Sequence, residues 1–398
     1  MSNLIKPLWL KEINNKPRTN INIFEKEFDV HMDSDCGNFK FTIAFFRDGP
    51  LLPVMTGAAA SILGMMKYLS RNGVKVVLIK CLNDFDDFSF YKKLPFKTYF
   101  LDEETFYCNR YNILSNFLKK ERIDIVQFDS AEAINFQSKY IPSDIIKVFE
   151  VHNVESDLLK QYNVTLKEYE YIKNHEIRAL KNADFLLFRS KENFNKYPSV
   201  NSGNFSSKIK FYKGSVDSEI IEFNERRFIE GENILFLGHL NYLPNIKALD
   251  NIAKYIAPNI NKTIMVVGDL SRKVLMKYKK IKNISFYGRV DDLEKVFSKA
   301  FVGIAPLDVG SGTRIKVLDY LMAGLPFVGS SLSVKGLEEN IYKYSIIEDD
   351  YLKYPNIINN IPQYFTVQKI NNARKFIIKN RSWDSNISDL IKVYKSMF

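Results

Sequence analysis

A glycine-rich loop followed by two cations and a carboxylate is the part of this sequence best suited to bind a phosphorylated ligand. The stretch APLDVGSGTRIKVLDYLMAG joins a short apolar run to a glycine loop and an amphipathic helical pattern. At the start of that helix the backbone N–H groups of Gly312 and Thr313 would bind an anion. Arg314 and Lys316 would add fixed positive charge suited to a diphosphate, and Asp319 could accept hydrogen bonds from ribose hydroxyls. The alternative is an ordinary helix cap with a solvated basic face, because glycine loops before helices are common.

A second candidate group lies in the first half of the chain. His152 ends the apolar run VFEVH, and a side chain at the carboxyl end of a strand in an open parallel sheet points toward the ligand crevice. Gly57 opens a helical pattern after the loop that follows the first predicted strand, and glycine lets a backbone approach a ligand closely. The structural alternatives are a histidine bound to local backbone and a plain strand-to-helix turn.

These residues must be positioned by alternating strands and helices. Short apolar runs rich in β-branched residues alternate with longer patterns of helical period. The predicted strands are 39–46, 74–80, 123–128, 146–152, 185–188, 209–212, 234–238, 264–268, 284–287 and 302–305. The predicted helices are 57–72, 111–122, 166–183, 244–256, 293–300 and 313–323. Such alternation predicts parallel sheets covered by helices on both faces.

One interruption of this alternation divides the chain into two domains. Residues 218–231 are charged and have no apolar period, so we interpret them as a linker. The fold class is therefore α/β, with two doubly wound, Rossmann-like domains in series. The expected parts are an N-terminal arm 1–38, a first domain 39–217 and a second domain 232–384. Ligands bind beyond the carboxyl ends of the strands in such sheets, so two facing domains would enclose a binding cleft.

The composition is that of a globular chain. The 398 residues are 46% hydrophobic and 26% charged, which excludes a disordered protein. No apolar run reaches the ~18 residues that span a bilayer, and the first residues lack the apolar core of a signal peptide. We therefore expect the protein in the cytoplasm. Cys36, Cys81 and Cys108 are odd in number and widely spaced, so we expect reduced, structural thiols.

The net charge of +11 favours anionic partners, although a genomic bias toward Lys, Asn and Ile explains it equally well. No zinc finger, aromatic RNA-binding signature or long basic helix indicates nucleic acid, so no nucleic-acid partner is expected. Lys92, Lys93 and Lys97 alternate with aromatic residues and are one candidate for peripheral docking on the inner face of an anionic membrane. A solvated basic loop is the simpler interpretation of that segment.

Several segments, in the same order and spacing, resemble the family 4, or group 1, glycosyltransferases of the GT-B fold. The second domain contributes FLGHLNYLPN, MVVGD, ISFYGRVDDL and the glycine loop, and the first contributes VFEVHNVES, LKNADFLLFRS and KGSVD. The resemblance extends over residues 39–398 and is closest to the branch with a G-S-G-T-R-x-K loop. It implies a GT-B fold whose last helix, 385–398, crosses back to complete the first, acceptor-binding domain.

On the second domain the resemblance implies a site for a nucleotide-sugar donor. The acidic pair of the family, spaced E-x7-E, falls on Ser311 and Asp319. Asp319 would hold the ribose, whereas the first acid is missing. We expect the backbone amides of Gly312 and Thr313 to contact the donor phosphate or sugar in its place.

The diphosphate must also be held differently from the common form of the family. The Arg and Lys that usually follow the glycine of the first strand are absent after Gly238. Arg314 and Lys316 are therefore the expected cations, and they are also the expected catalytic groups on this domain. The base is expected against Arg289 and Val290, recognised mostly by backbone groups.

On the first domain the resemblance implies contacts with the sugar and the acceptor. His152 would contact the donor sugar as a catalytic residue, and Asn153 and Glu155 would shape the acceptor side. Thr56 and Gly57 occupy the position of the family's glycine loop, where the usual pair of glycines is reduced to Thr-Gly.

The activity implied by the resemblance is that of a retaining glycosyltransferase of the hexosyltransferase class. It would move a sugar from a UDP or GDP sugar to a saccharide or lipid-linked saccharide, in the synthesis of cell-surface polysaccharide or glycan. Helix amides and cations would stabilise the departing diphosphate, so no metal and no other cofactor is expected.

Two other functions remain open on the same architecture, because a fold does not decide a function. A sugar-nucleotide epimerase would convert the donor in the absence of an acceptor. A non-catalytic nucleotide-sugar-binding partner of another transferase is the other alternative, and Ser311 in place of an acid is its best argument.

Overall fold

The computed structural model shows two parallel β-sheets, each covered by helices, which confirms the expected α/β class. It describes residues 39–52, 57–82, 86–101, 103–108, 113–160, 164–189, 194–195, 206–219, 232–290, 292–310 and 312–398. The arm 1–38 and most of the expected linker 218–231 lie outside these residues.

The strands follow the predicted alternation. They are β1 (Thr42–Arg47), β2 (Lys75–Cys81), β3 (Lys97–Leu101), β4 (Ile125–Phe128), β5 (Ile146–Val151), β6 (Phe185–Phe188), β7 (Ile209–Phe211), β8 (Asn233–Leu237), β9 (Ile264–Val267), β10 (Ile284–Gly288), β11 (Ala300–Ala305), β12 (Phe327–Gly329) and β13 (Ser345–Ile347). The helices are α1 (Gly57–Arg71), α2 (Phe88–Tyr91), α3 (Glu103–Cys108), α4 (Ile113–Lys120), α5 (Ala131–Gln137), α6 (Glu155–Leu159), α7 (Leu166–Asn182), α8 (Leu243–Asn251), α9 (Arg272–Tyr278), α10 (Glu294–Phe297), α11 (Ile315–Met322), α12 (Ser331–Val334), α13 (Glu339–Lys343), α14 (Tyr354–Asn359), α15 (Ile361–Tyr364), α16 (Val367–Arg381) and α17 (Trp383–Lys395).

The strand order of each sheet reverses once, and the reversal fixes where a ligand can bind. The first sheet has the order β3-β2-β1-β4-β5-β6-β7, and the second has the order β10-β9-β8-β11-β12-β13, with every pair parallel. The order reverses between β1 and β4 and between β8 and β11. Crevices at such points, beyond the carboxyl ends of the strands, are where doubly wound sheets bind ligands.

The central strands of the first sheet are buried on both faces, because successive side chains point to opposite sides and helices cover each side. One face packs with α1 and α17 in a cluster that includes Ile43, Ile125 and Val148. The other face packs with α5 and α7 in a separate cluster. The second sheet has its own continuous core.

The last helix, α17, packs on the first domain although the chain reaches it from the second. Ile387, Leu390 and Tyr394 are buried among residues of α1 and the first sheet. At Gly64 of α1, a Cβ would lie 2.2 Å from Nε1 of Trp383, so the two helices approach closely. Val216 donates its N–H to the carbonyl of Arg381 at 2.8 Å, and this pairing joins the two chain crossings.

Several segments differ from the sequence prediction, which did not include the strands β3, β12 and β13. The helix expected from residue 313 begins at Ile315, with Arg314 as its N-cap. In the segment interpreted as a basic loop, Lys92 and Lys93 lie in an exposed turn, but Tyr91 ends α2 and Lys97 begins the strand β3. Tyr91 and Phe96 are buried in the core of the first domain, whereas Lys97 and Tyr99 are half-buried. Within the described ranges, no helix is long and apolar enough to cross a membrane.

Candidate active site

A cleft of about 610 Å³ lies between the carboxyl edges of the two sheets. Ten of the sequence-predicted residues line it: Gly57, His152, Asn153, Gly238, Arg289, Val290, Thr313, Arg314, Lys316 and Asp319. The loops that follow β8 and β11, on either side of the reversal in strand order, form much of its second-domain wall. The structure therefore brings together predicted residues that are up to 262 positions apart in the chain (319 − 57).

Lys316 is the most perturbed cation of the cleft. Its Nζ donates to Oδ1 of Asn245 at 2.8 Å and lies 4.8 Å from the ring centroid of Phe236. Burial, reinforced by the charge of Arg314, lowers the pKa of Lys316 to about 7. Burial also raises the pKa of Asp319 to about 7, although the charge of Lys316 opposes that shift. The two groups thus face a desolvated site that favours neither charge.

The glycine loop before α11 is shaped by two backbone conformations that only glycine adopts easily. Gly310 has a φ of +146° and Gly312 a φ of +77°. The Arg314 guanidinium folds back and donates to the Gly312 carbonyl, so this side chain holds the loop as well as lining the cleft. Thr313 also lines the cleft, and its Oγ1 is buried with no hydrogen-bond partner within the part of the chain described. Ser311 lies outside the described residues.

The ends of β8 and β9 touch through glycines, which brings backbone to the cleft wall. A Cβ on Gly268 would lie 2.1 Å from the carbonyl oxygen of Gly238, and a Cβ on Gly238 would lie 2.7 Å from Cγ of Asn245. His239 follows directly, and burial lowers its pKa while the charge of Asp269 opposes that effect. Sequence reasoning assigned no role to His239, yet the structure puts it on the cleft wall.

Arg289 and Val290 line the cleft at the end of β10, where the base was expected. Arg289 is exposed and Val290 is half-buried. They follow Gly288, whose carbonyl accepts the N–H of Gly268 at 2.8 Å. This part of the wall therefore offers backbone groups and an apolar side chain to a planar ligand.

His152 lies on the first-domain wall between two buried carboxylates. Its Nδ1 is 3.3 Å from Oε1 of Glu150, and its Nε2 is 3.9 Å from Oδ2 of Asp129. Although burial alone would raise the pKa of Asp129, the charges of Arg47 and His152 hold it below its usual value. Sequence reasoning missed Asp129 and Glu150. The available signal was their two-residue spacing from apolar strand positions, which places them on the face of the sheet that carries His152.

The segment after His152 contacts the glycine loop of the other domain. A Cβ on Gly312 would lie 2.1 Å from Oδ1 of Asn153 and 3.0 Å from the carbonyl oxygen of His152. A Cβ on Gly57 would lie 3.7 Å from Cβ of Ile315, which is the second close approach between the domains. Gly312 is therefore a contact between the domains as well as a part of the glycine loop.

Glu155 differs from the other predicted residues because its side chain is exposed at the start of α6. Nδ2 of Asn153 lies 3.4 Å from its Oε1, and its own N–H donates to Glu176 at 2.6 Å. Thr56, the other residue expected on the acceptor side, lies outside the described residues. In the described ranges, no group of three or more His, Cys, Asp or Glu side chains could hold a metal ion. Cys81 is buried and forms no disulfide within the described residues, whereas Cys36 is not described.

The second domain matches a known family. Residues 231–352 match the family model of the group 1 glycosyl transferases. The second domain is therefore of the group 1 glycosyl transferase type. A search of the curated proteins found no match to the sequence.

Comparison with solved structures shows that the chain has the GT-B fold over nearly its whole length. Sucrose-phosphate synthase from Thermosynechococcus elongatus is 12% identical with a TM-score of 0.70, and the alignment covers 90% of this chain and 99% of that one. Anabaena HepE in complex with UDP-glucose is 10% identical with a TM-score of 0.66, covering 90% and 100%. A glycosyltransferase from Rickettsia africae is 15% identical with a TM-score of 0.63, covering 90% and 98%.

Proposed function

We propose that the enzyme transfers a hexosyl group, with retention of anomeric configuration and without a metal ion, from a UDP or GDP sugar to a saccharide or lipid-linked saccharide. The observation that carries the proposal is the pairing of Lys316 and Asp319 on the wall of a cleft between two domains. A bound diphosphate would place compensating negative charge beside the Lys316 ammonium group. The UDP-glucose bound to Anabaena HepE supports the choice of donor class.

In the proposed reaction, the acceptor hydroxyl attacks the anomeric carbon from the face that the diphosphate leaves. Negative charge develops on the departing diphosphate oxygen, and the sugar ring acquires oxocarbenium character. Lys316 would stabilise the leaving group electrostatically, and Thr313 would donate from the neighbouring loop. Asp319 would accept hydrogen bonds from the ribose and hold the donor in register with the attacking hydroxyl.

The proposal also includes the acceptor and the cellular location of the enzyme. The acceptor would be a saccharide under extension for cell-surface polysaccharide, on the side of the cleft where Asn153 lines the wall and Glu155 is exposed. The net charge of +11 is compatible with peripheral docking on the cytoplasmic face of an anionic membrane.

The donor is tested by thermal unfolding with UDP, GDP, TDP and CMP sugars. A ligand that binds only the folded state raises the apparent stability by mass action, by about 2.7 kcal/mol at a hundredfold excess over its Kd. We expect stabilisation by one uridine or guanosine diphosphate sugar, and the absence of any stabilisation would contradict the proposed donor class. Activity that EDTA abolishes and magnesium or manganese restores would contradict metal independence.

The site is tested by Lys316→Ala and Asp319→Asn, each of which should reduce transfer by at least 100-fold, as is typical when a leaving-group contact is lost. The controls are Lys295→Ala and Asp389→Asn, because these side chains are 81% and 76% exposed. Unchanged transfer in both site variants would overturn the assignment. Donor conversion in the absence of acceptor would indicate an epimerase, and donor binding without either reaction would indicate a non-catalytic partner.

A further inference from the structure

Polar side chains replace apolar ones at the last inward positions of three neighbouring strands. Gln127 on β4 follows Ile125 by two residues, Glu150 on β5 follows Val148 by two, and Arg189 lies just beyond the end of β6. Because side chains alternate along a strand, these groups share the sheet face that packs against α1 and α17. They form a polar layer directly under His152.

Glu150 is the centre of this layer. Its Oε1 accepts from Nη2 of Arg189 at 2.8 Å and from the hydroxyl of Tyr212, and it lies 3.3 Å from Nδ1 of His152. Its Oε2 accepts from Nε2 of Gln127 at 2.8 Å. Although burial alone would raise the pKa of Glu150, the charges of His152 and Arg189 hold it below its usual value. The carboxylate is thus ionised, and the position of one oxygen relative to His152 depends on what holds the other.

The last helix, α17, contacts this layer at both of its ends. Near its C-terminus, the hydroxyl of Tyr394 donates to Oε1 of Gln127, and the whole side chain is buried. At its N-terminus, the ring of Trp383 stacks on Tyr212 with centroids 6.4 Å apart. Gln127 and Tyr212, the two residues that α17 contacts here, each donate a hydrogen bond to Glu150.

The Tyr394 hydroxyl holds the end of the Gln127 amide that faces away from Glu150. A glutamine amide presents its oxygen and its nitrogen in opposite directions. Since the nitrogen must face the Glu150 carboxylate, the oxygen must face α17, where only a donor can satisfy it. Tyr394 supplies that donor in a site closed to water.

We propose that Tyr394 of the last helix positions His152 for the transfer reaction, acting through Gln127 and Glu150. The role in catalysis rests on the proposed function, whereas the positioning itself does not. Helix α17 is then a working part of the active site in addition to its role as a cover for the first domain.

The kinetic test is Tyr394→Phe, which removes one hydroxyl and leaves the ring. We expect kcat to fall roughly tenfold, as a small displacement of a positioned group can cause, with the donor KM and the stabilisation by UDP unchanged. The matched control is Tyr354→Phe, because Tyr354 is equally buried in the second domain and donates to the carbonyl of Glu348 at 3.0 Å. This control should lower the Tm without changing kcat.

A spectroscopic test separates positioning from activity. The chain has only four histidines, so ¹⁵N-histidine labelling gives few imidazole signals, and His152→Gln assigns the relevant one. Tyr394→Phe should shift the His152 signal and leave the His175 and His239 signals in place. If that variant does not fold, Gln127→Met breaks the same connection from β4. An unmoved His152 signal overturns the positioning, whereas a moved signal in a protein without transferase activity contradicts only the proposed function.

Discussion

Burial of the charged Lys316 ammonium group in the ligand-free cleft costs free energy, and a bound diphosphate would remove that cost. Its pKa in the folded chain is about 7, below the ordinary value of 10.5. A lowered lysine pKa means that the folded state disfavours the charged form, so this residue costs stability at every pH below about 10.5, with the full cost below about 7. At the proposed donor site, the charge that donor binding requires therefore lowers the stability of the ligand-free protein.

The first prediction is that Lys316→Met stabilises the ligand-free protein. At pH 6 the variant should unfold about 2–4 °C higher for each kcal/mol of relieved desolvation, and it should lose its stabilisation by UDP. Lys247→Met on α8 is the control, because that lysine is exposed. A lower Tm for the Lys316 variant in differential scanning calorimetry would contradict the explanation.

The second prediction concerns the pH dependence of UDP binding. A free-state pKa of about 7 for Lys316 means that binding is unaffected below pH 7 and weakens as the pH rises above it, by up to about tenfold per unit. Asp319 gains negative charge over the same range and acts in the same direction. Titration calorimetry from pH 6 to 9 measures the effect. Asp319→Asn, which leaves only Lys316 to titrate in this range, should retain part of the slope, whereas a flat profile in the unmodified enzyme would refute the role of both groups.

At the scale of single residues, the sequence identified the groups on the surface of the cleft but not those beneath it. Lys316, Asp319 and His152 were predictable because loops and strand ends in this fold meet at one edge. Glu150 and Gln127 were not, because a polar residue inside an apolar run reads as an exception until the strand pairing shows what it faces.

At the scale of elements, the loop before α11 shows where local pattern fails. The apolar period predicted a helix from residue 313, but Arg314 has φ −88° and ψ 87°, so the helix begins only at Ile315. The loop contacts the other domain at Gly312, whose φ of +77° is not that of an α-helix. Strand β3 was missed because Lys97 follows two exposed lysines and the segment resembles a solvated loop, whereas Phe100 is buried in the core.

The third prediction is that Gly312→Ala weakens donor binding by separating the domains. The new methyl group would meet Oδ1 of Asn153 at 2.1 Å and would also require a φ of +77°. Gly73→Ala is a matched control, since Gly73 has the same φ of +77° but only an ordinary contact at 3.9 Å with Lys40. Both variants should lose about 1–2 kcal/mol from backbone strain. Only Gly312→Ala should raise the Kd for UDP, by roughly tenfold or more, and equal affinities in the two variants would show that the domain contact is unimportant.

At the scale of the whole molecule, the first domain is discontinuous in sequence. Its sheet ends with β7, but one of its two faces is covered by α17, which follows the entire second domain. Sequence pattern predicted two domains, and the resemblance to the GT-B family implied a returning helix. It could not predict that this helix also reaches the polar layer under the cleft, because that contact joins residues 267 positions apart.

The fourth prediction follows from this discontinuity. A fragment of residues 39–219 should not fold alone, because the face of the sheet that packs against α17 stays exposed. Residues 39–219 joined by a short Gly-Ser linker to residues 382–398 should fold, since Val216 and Ser382 already lie side by side. Circular dichroism and resistance to trypsin measure the difference. A stable first fragment would show that α17 is dispensable for the domain.

The same discontinuity sets an order of events during synthesis on the ribosome. Residues of the first sheet emerge early, but α17, which covers one face of that sheet, leaves the exit tunnel only after the whole second domain has been made. The second domain has its own continuous core and can complete its folding first. Until α17 has been synthesised, one apolar face of the first domain stays exposed. A premature stop codon after residue 381 would therefore leave a chain whose second domain is intact and whose first domain is prone to aggregate.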